Sequence, residues 1–435
     1  MRPVDPAGGP PAPGRRSLAY VGAGGEFALW NDFERWRPVL ETHPGLGPGE
    51  REILRNWASL DHGPREVIGT APADGYGIFT FPYGPVAPGL AEAGSFDLRT
   101  HGERILAAVP TIGYKHRAIE ARIVGATMED AVLWIERRVG PSALAHAAAF
   151  LAAAESAAGR TVSERELWVR AIAQELQRLH RHLYTLAREA EAASQNVGAA
   201  QLAARAEEVL RMLGRTFGHR WGFGAFLAGG PERRLGPADR AALVDRLRRL
   251  RLRFDSLWES FEGSRTYLDR LHGTGAISAE MAVRWGAVGP TLRAVGIPWD
   301  DRLRDPAPPY GDLDVPLVTE SGGDALARIR VRRAEIGGSL RLLEEMLDRY
   351  PRVGAGEVPP APPVSEGRGL ARTEAPGGDL VYEVRLEGAR VAAVGVRTPS
   401  HANWPLLALG LRGAVFTDFA FAFESFGLSF AETDG

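Results

Sequence analysis

The stretch "SERELWVRAIAQELQRLHRHLYTL", residues 163–186, decides the fold class. Ser163 and Glu166 form a capping box. Val169, Ile172, Leu176, Leu179, Leu183 and Leu186 then recur at alternating steps of three and four, which draws one apolar stripe along a long buried helix. The same period runs through Leu202, Ala206, Val209, Leu213 and Phe217, and again through Leu243, Leu247, Leu250, Phe254, Leu257 and Phe261. An alanine-rich helix over 142–159 precedes the first of these, and a fourth long segment over 323–349 stops before Pro351. The centre of the chain is therefore a helical bundle.

Strand signals lie on both sides of it. "GIFTF" (77–81) and the alternation in "FDLRTHGERILAAV" (96–109), turning near Gly102, predict a small N-terminal sheet. "LVYEVRLEGARVAAVGV" (380–396), turning at Glu387-Gly388, predicts a β-hairpin, and short aromatic-rich elements end the chain. The order strands, helices, strands gives an α+β protein, a central bundle of long helices flanked by small N- and C-terminal β elements. We divide it into a disordered Pro/Gly-rich tail (1–16), an N-terminal extension of unassigned fold (17–75) and a main domain (76–435). The main domain comprises a helical core over about 126–350, a stiff Pro-rich linker (355–365) and a C-terminal hairpin and cap (366–435).

Composition narrows the chemistry. The 435 residues contain no cysteine, which excludes disulfides, thiolate-bound zinc, iron–sulfur ligation and a cysteine nucleophile. A net charge of -2 argues against nucleic acid as a partner, although eight arginines face three aspartates between Arg233 and Asp255, a pattern read as a solvated helix face. Lys115 is the only lysine. The longest apolar run, Ala147–Ala154, is far shorter than the roughly 18 residues of a membrane-spanning helix, and the N-terminus has no apolar leader; a cytoplasmic chain is expected, with docking on a membrane assembly left open.

Isolated motifs carry little. "YVGAGGEF" (20–27) lacks the third glycine and the βαβ context of a dinucleotide fingerprint. His180 and His182, two apart on a helix, point about 200° from each other and so read as one polar-face residue and one core hydrogen-bonder rather than a metal pair. No serine near glycine sits in a strand–turn–helix elbow. More information lies in "ERRVGPSALAH" (136–146), where Arg137, Gly140 and His146 are spaced as around a metal cradle, with Val139 and Ser142 where thiolates would stand.

Several ordered stretches together resemble one family: 81–103, "GYKHRAIEARI" (113–123), "IERRVGPSALAHAAAFLAAAE" (135–155), "ELQRLHRHL" (175–183), 288–297, 314–344 and "SHANWPLLALGLRGAVFTDFAFAFESFGLSFAETD" (400–434). They resemble the large subunit shared by membrane-bound nickel–iron hydrogenases of the formate hydrogenlyase type and by respiratory complex I. The resemblance implies that fold for residues 76–435. It puts the family's two Cys-x-x-Cys pairs at Val139 and Ser142 and around Phe430 to Thr433, so no metal is expected here and hydrogen activation is excluded.

In complex I the emptied cavity takes a quinone. The resemblance assigns the positions of its two donors to Ala87, in "GPVAPGL", and to Trp134, so an emptied metal or quinone cavity lined by Ala87, Trp134, Val139 and Ser142 is expected. "HRAIE" is similar to the family's Arg-Gly-x-Glu element. It marks Glu120, with Arg117 and Arg137, as the proton-transfer candidates, desolvation raising the Glu120 pKa and the arginines lowering it. Glu92 is a second carboxylate with a weaker claim, and Asn403, Trp404 and Pro405 are expected to pack the C-terminal element.

The implied function is a cofactor-free large subunit that couples electron transfer, with a quinone as its implied acceptor, to ion translocation. The implied partners are a small iron–sulfur subunit and antiporter-like membrane subunits on the cytoplasmic side, with Fe–S clusters and NAD confined to other subunits. A non-catalytic scaffold that organises those partners is the alternative.

Overall fold

The computed structural model describes residues 75–433 except Pro88, 228–234, Asp305 and 351–365, together with the backbone of four short strands between Arg16 and Thr70. The proposed linker 355–365, residues 1–15 of the tail and most of the extension over 17–75 lie outside the described residues.

Strands β1 (Arg16–Ser17), β5 (Ile78–Tyr83), β6 (Ser95–His101) and β7 (Arg104–Ile112) form an antiparallel sheet in the order β1-β7-β6-β5. Arg16, expected in the tail, thus pairs with Ile112. The turn falls at Gly102, whose φ of 56° is the left-handed conformation that glycine adopts without strain. Strands β2 (Ala19–Val21), β3 (Glu26–Trp30) and β4 (Arg65–Thr70) make a separate antiparallel sheet, so the ends of "YVGAGGEF" pair with each other and residues 22–25 lie outside the described residues.

Helices begin earlier than the 142–159 segment, with α1 (Ile119–Ile123) and α2 (Met128–Ile135). The alanine-rich segment is α3 (Ala143–Ala157), and the deciding stretch is α4 (Glu164–Ala192), whose first turn is capped by the Ser163 side chain accepting from the Glu166 N–H. Next come α5 (Asn196–Phe217) and α6 (Pro237–Glu262), where the second and third periods place them. Short helices α7 (Arg265–Leu271), α8 (Ala279–Arg284), α9 (Gly289–Arg293) and α10 (Asp301–Arg304) lead to α11 (Ala325–Arg349), capped by Asp324. Helix α4 is the hub, packing on α5 and α11 along its apolar stripe.

The C-terminal sheet has three strands, not two: β8 (Glu366–Ala375), β9 (Gly378–Glu387) and β10 (Arg390–Arg397) form a meander. β8 escapes the sequence reading because its glycines and charges break the apolar alternation. Gly369 explains part of that composition: a Cβ there would lie 1.9 Å from the Ala153 carbonyl oxygen of α3, so the strand meets the helix backbone to backbone. Helices α12 (Pro399–Gly410), α13 (Phe419–Phe426) and α14 (Phe430–Thr433) close the fold.

Two large apolar cores result among the described residues, one inside the bundle and one where Phe96 and Leu98 of β6 meet Trp404, Phe419, Phe423 and Phe430. Asn403 bridges the backbone N–H and C=O of Val288 at 3.1 and 3.2 Å, and Trp404 is fully buried, so both are packing residues as expected.

Candidate functional site

The cradle stretch leaves α2, runs through Glu136–Val139, makes a single 3-10 turn over Gly140–Ser142 and enters α3. Val139 and Ser142 are both buried, and His146, one turn into α3, is completely so. The second half of the cradle is α14, entered through Gly427 in the left-handed conformation (φ 65°). The Phe430 ring lies so close to Gly94 that a Cβ there would come within 2.0 Å of it. Aromatic carbon and protein backbone thus occupy part of the cradle.

The remainder is polar, with His146 Nε2 and Arg138 Nε buried and making no hydrogen bond among the described residues. Glu120 is ion-paired with Arg138, which is buried. The Tyr382 hydroxyl, from β9, feels the charge of Arg138 and lies 2.8 Å from His146 Nδ1. His146 Nε2 is 3.5 Å from Glu432 Oε1, and Glu432 Oε2 accepts from the Ser400 N–H at 3.1 Å and from its hydroxyl. Burial lowers the His146 pKa against the pull of Glu432, so the ring is neutral. Glu432 is held below the usual carboxylate range: burial raises it, but His146 and Ser400 outweigh burial. The Tyr382 phenol is pushed up, first by burial.

The structure redistributes the expected site residues. Glu120 sits at the mouth of this cluster, 30% exposed. Burial raises its carboxyl, yet Arg138 more than offsets that, so it is a carboxylate with a lowered pKa. Its cation is Arg138 and not Arg137: α2 ends at Ile135, so Arg137 turns outward, pairs with Glu136 at 2.6 Å and lies over the Phe223 ring. Arg117 makes no ion pair among the described residues and leaves one guanidinium nitrogen buried without a partner. Trp134 is on the outer face of α2, 44% exposed beneath Arg122, so it does not line the cradle. Ala87 is half-buried in the 84–92 loop, where its carbonyl accepts from the Leu90 N–H. Glu92 ties that loop to the cradle, accepting from the Ser429 hydroxyl and, at 2.6 Å, from the Ala431 N–H.

The paired histidines divide otherwise than expected. His182 is the core hydrogen-bonder, 2.8 Å from Glu335. His180 is also buried, stacked on Tyr184 and edge-on to Trp221; burial lowers it to about 3 and His182 to about 4.

The open space is beside the cradle rather than in it. A cavity of about 180 Å³ lies between Pro141 of the first half and Ser429 and Phe430 of the second, walled by Glu92, Arg181 and Tyr184. A neighbouring hollow of about 260 Å³ under the 84–92 loop shares Arg188, Phe423 and Glu424 with it. Arg188 pairs with Glu424 at 3.0 Å and forms the partition.

Sequence reading missed Arg138, Tyr382, Glu432, Arg181 and Tyr184. Two signals pointed to part of this set: His146 is a lone polar residue in an alanine run, and Tyr382 is a hydroxyl on the buried face of an alternating strand. Both require a buried partner.

The donor set does not fit nickel or iron. Valine, serine, phenylalanine, alanine, glutamate and threonine supply no thiolate at 139, 142 and 430–433, and among the described residues no three His, Cys, Asp or Glu side chains converge to hold a metal.

Residues 198–361 match the family described as the respiratory-chain NADH dehydrogenase 49 kDa subunit. The chain is 31% identical to a subunit of the NADH-quinone oxidoreductase of Salinispora tropica, over 77% of this chain and 87% of that one. It is 29% identical to the carbon monoxide-induced hydrogenase of Rhodospirillum rubrum, over 78% of this chain and 94% of that one. A chain of the membrane-bound sulfane sulfur reductase, an archaeal respiratory membrane complex, superimposes with a TM-score of 0.77 at 26% identity, covering 84% of this chain and all of that one.

Proposed function

We propose a function from one premise: this chain belongs to the large-subunit family shared by complex I-type NADH dehydrogenases and membrane-bound hydrogenases. It is a redox subunit of the respiratory-complex kind. In our reading it binds no metal, receives electrons from a small iron–sulfur protein seated at the cradle, delivers them to an acceptor in the cavity beside Pro141 and Ser429, and couples that step to ion movement in antiporter-like membrane subunits. NAD belongs to other subunits. No described helix is long and apolar enough to cross a membrane, which agrees with peripheral docking, in our reading on the cytoplasmic face.

The observation that carries this reading is the buried cluster of Glu120, Arg138, Tyr382, His146 and Glu432. It replaces a metal centre with groups that hold protons and charge and reaches the surface at Glu120. The filled cradle favours the second reading, a scaffold through which no electrons pass. Extraction of the tagged chain from membranes tests the first: it should bring down an iron–sulfur protein and antiporter-like subunits in stoichiometric amounts. Recovery of the chain alone would refute it. A complete complex in which Glu120→Gln translocates ions at the parental rate would take Glu120 out of the proton path.

A further inference from the structure

We infer that Glu189 of α4 is a site for one proton, held as the neutral acid around neutral pH, and that its ionisation loosens α7 from α4. Glu189 lines neither of the two cavities, so this role is independent of what they hold.

Glu189 is fully buried and has no ion pair among the described residues. Its Oε2 accepts the Tyr267 hydroxyl of α7, while its Oε1 is buried with no hydrogen-bond partner. The charged groups around it are already engaged. On α4, Arg188 pairs with Glu191 at 2.8 Å and with Glu424 of α13 at 3.0 Å. On α7, Arg270 donates to the Ala193 carbonyl at 3.0 Å, lies 4.7 Å over the Phe421 ring and faces Asp418 at 3.9 Å. Glu262 of α6, whose charge reaches Tyr267, pairs with Arg330 at 3.2 Å. α11 turns Arg328 and Arg332 to Ser425 and Phe426 at the end of α13, and the buried face of α5 is apolar.

A carboxylate at Glu189 would therefore be an unpaired buried charge, which costs far more than the one unmade hydrogen bond of the neutral acid. Burial pushes the carboxyl up from the usual 4.5 to about 8; Glu424 adds to the rise, while the Tyr267 hydrogen bond and Arg270 oppose it. Burial raises the Tyr267 phenol as well, so it remains a donor across this range. Between those limits the unfolded chain gives up a proton that the native state keeps. The contribution of Glu189 to stability is thus full below about pH 4.5, is lost as pH rises, and levels off above about pH 8. Once ionised, the group needs water. α7 is the element that can admit it, being seven residues long and tied to α4 by the polar contacts of Tyr267 and Arg270.

Infrared spectra of the full chain test this. The parent should show at pH 7 the C=O band of a protonated carboxyl group that Glu189→Gln lacks, fading with a midpoint near pH 8. Tyr267→Phe, which withdraws the hydrogen bond opposing the rise, should move that midpoint upward. Amide exchange over residues 265–271, corrected for intrinsic rates, should lose about tenfold in protection above the midpoint in the parent and stay level in Glu189→Gln. The folded-to-unfolded ratio of the parent relative to Glu189→Gln should fall by up to about tenfold per pH unit between pH 5 and pH 8, a comparison in which His180 and His182 cancel. A parental carboxyl band unaltered in Glu189→Gln, or α7 exchange with the same pH dependence in both proteins, overturns the inference. If Glu189→Gln does not fold, pH-difference spectra of the parent and Tyr267→Phe decide: a midpoint that does not move overturns it.

Discussion

At the residue scale, the candidate proton group was legible and its partner was not. Glu120 stands out in the sequence, but neighbouring arginines at 137 and 138 are equivalent there, and only the end of α2 decides that Arg138 goes inward. Glu120→Gln keeps a hydrogen-bond acceptor for Arg138 and removes the charge. It should abolish most translocation in the assembled complex and lower thermal stability, because the buried Arg138 loses its carboxylate partner; parental translocation would remove Glu120 from the path. His180 and His182 make a second residue-scale prediction. Their folded pKa values, about 3 and about 4, are depressed below the usual 6.5. Between those limits the unfolded chain takes up protons that the native state refuses, so stability is full above about pH 6.5 and falls with pH. Each histidine should cost about 2 kcal/mol between pH 7 and pH 5. Denaturant titrations at the two pH values check this: replacing His180 by phenylalanine should shrink the loss, and an unchanged loss would contradict the burial argument.

At the element scale, the bundle could be read because α4, α5 and α6 carry uninterrupted apolar periods, and a helix with such a stripe has to bury it. β8 could not, because its Gly369 records a contact with α3 that no local pattern encodes. The expected start of the helical core, about residue 126, admits α2 but is late by one short helix, since α1 is too short to show a period. Replacing Gly369 by alanine should destabilise the fold by about 1–3 kcal/mol, as overpacking does, and more if neither backbone yields. In contrast, alanine at Gly337, where an added Cβ meets nothing within 4 Å, should be neutral or slightly stabilising because it sits inside α11. Equal melting temperatures for the two variants would refute the proposed close packing of β8 on α3.

At the scale of the whole molecule, family membership was legible because many short stretches agree in order, whereas the position of the cavity was not. It depends on Arg181 and Tyr184 of α4, Ser429 before α14 and the 84–92 loop meeting in space. The cradle surface is also where we place the iron–sulfur partner. Val139→Asp would bury an unpaired charge beside Ser142 and should abolish co-purification of that partner, at a cost of several kcal/mol. In our reading this scaffold works with its metal centre replaced by protein groups. Elemental analysis of the chain expressed with hydrogenase maturation factors decides it: no stoichiometric nickel is expected on the chain, and about one nickel per chain would overturn the metal-free reading.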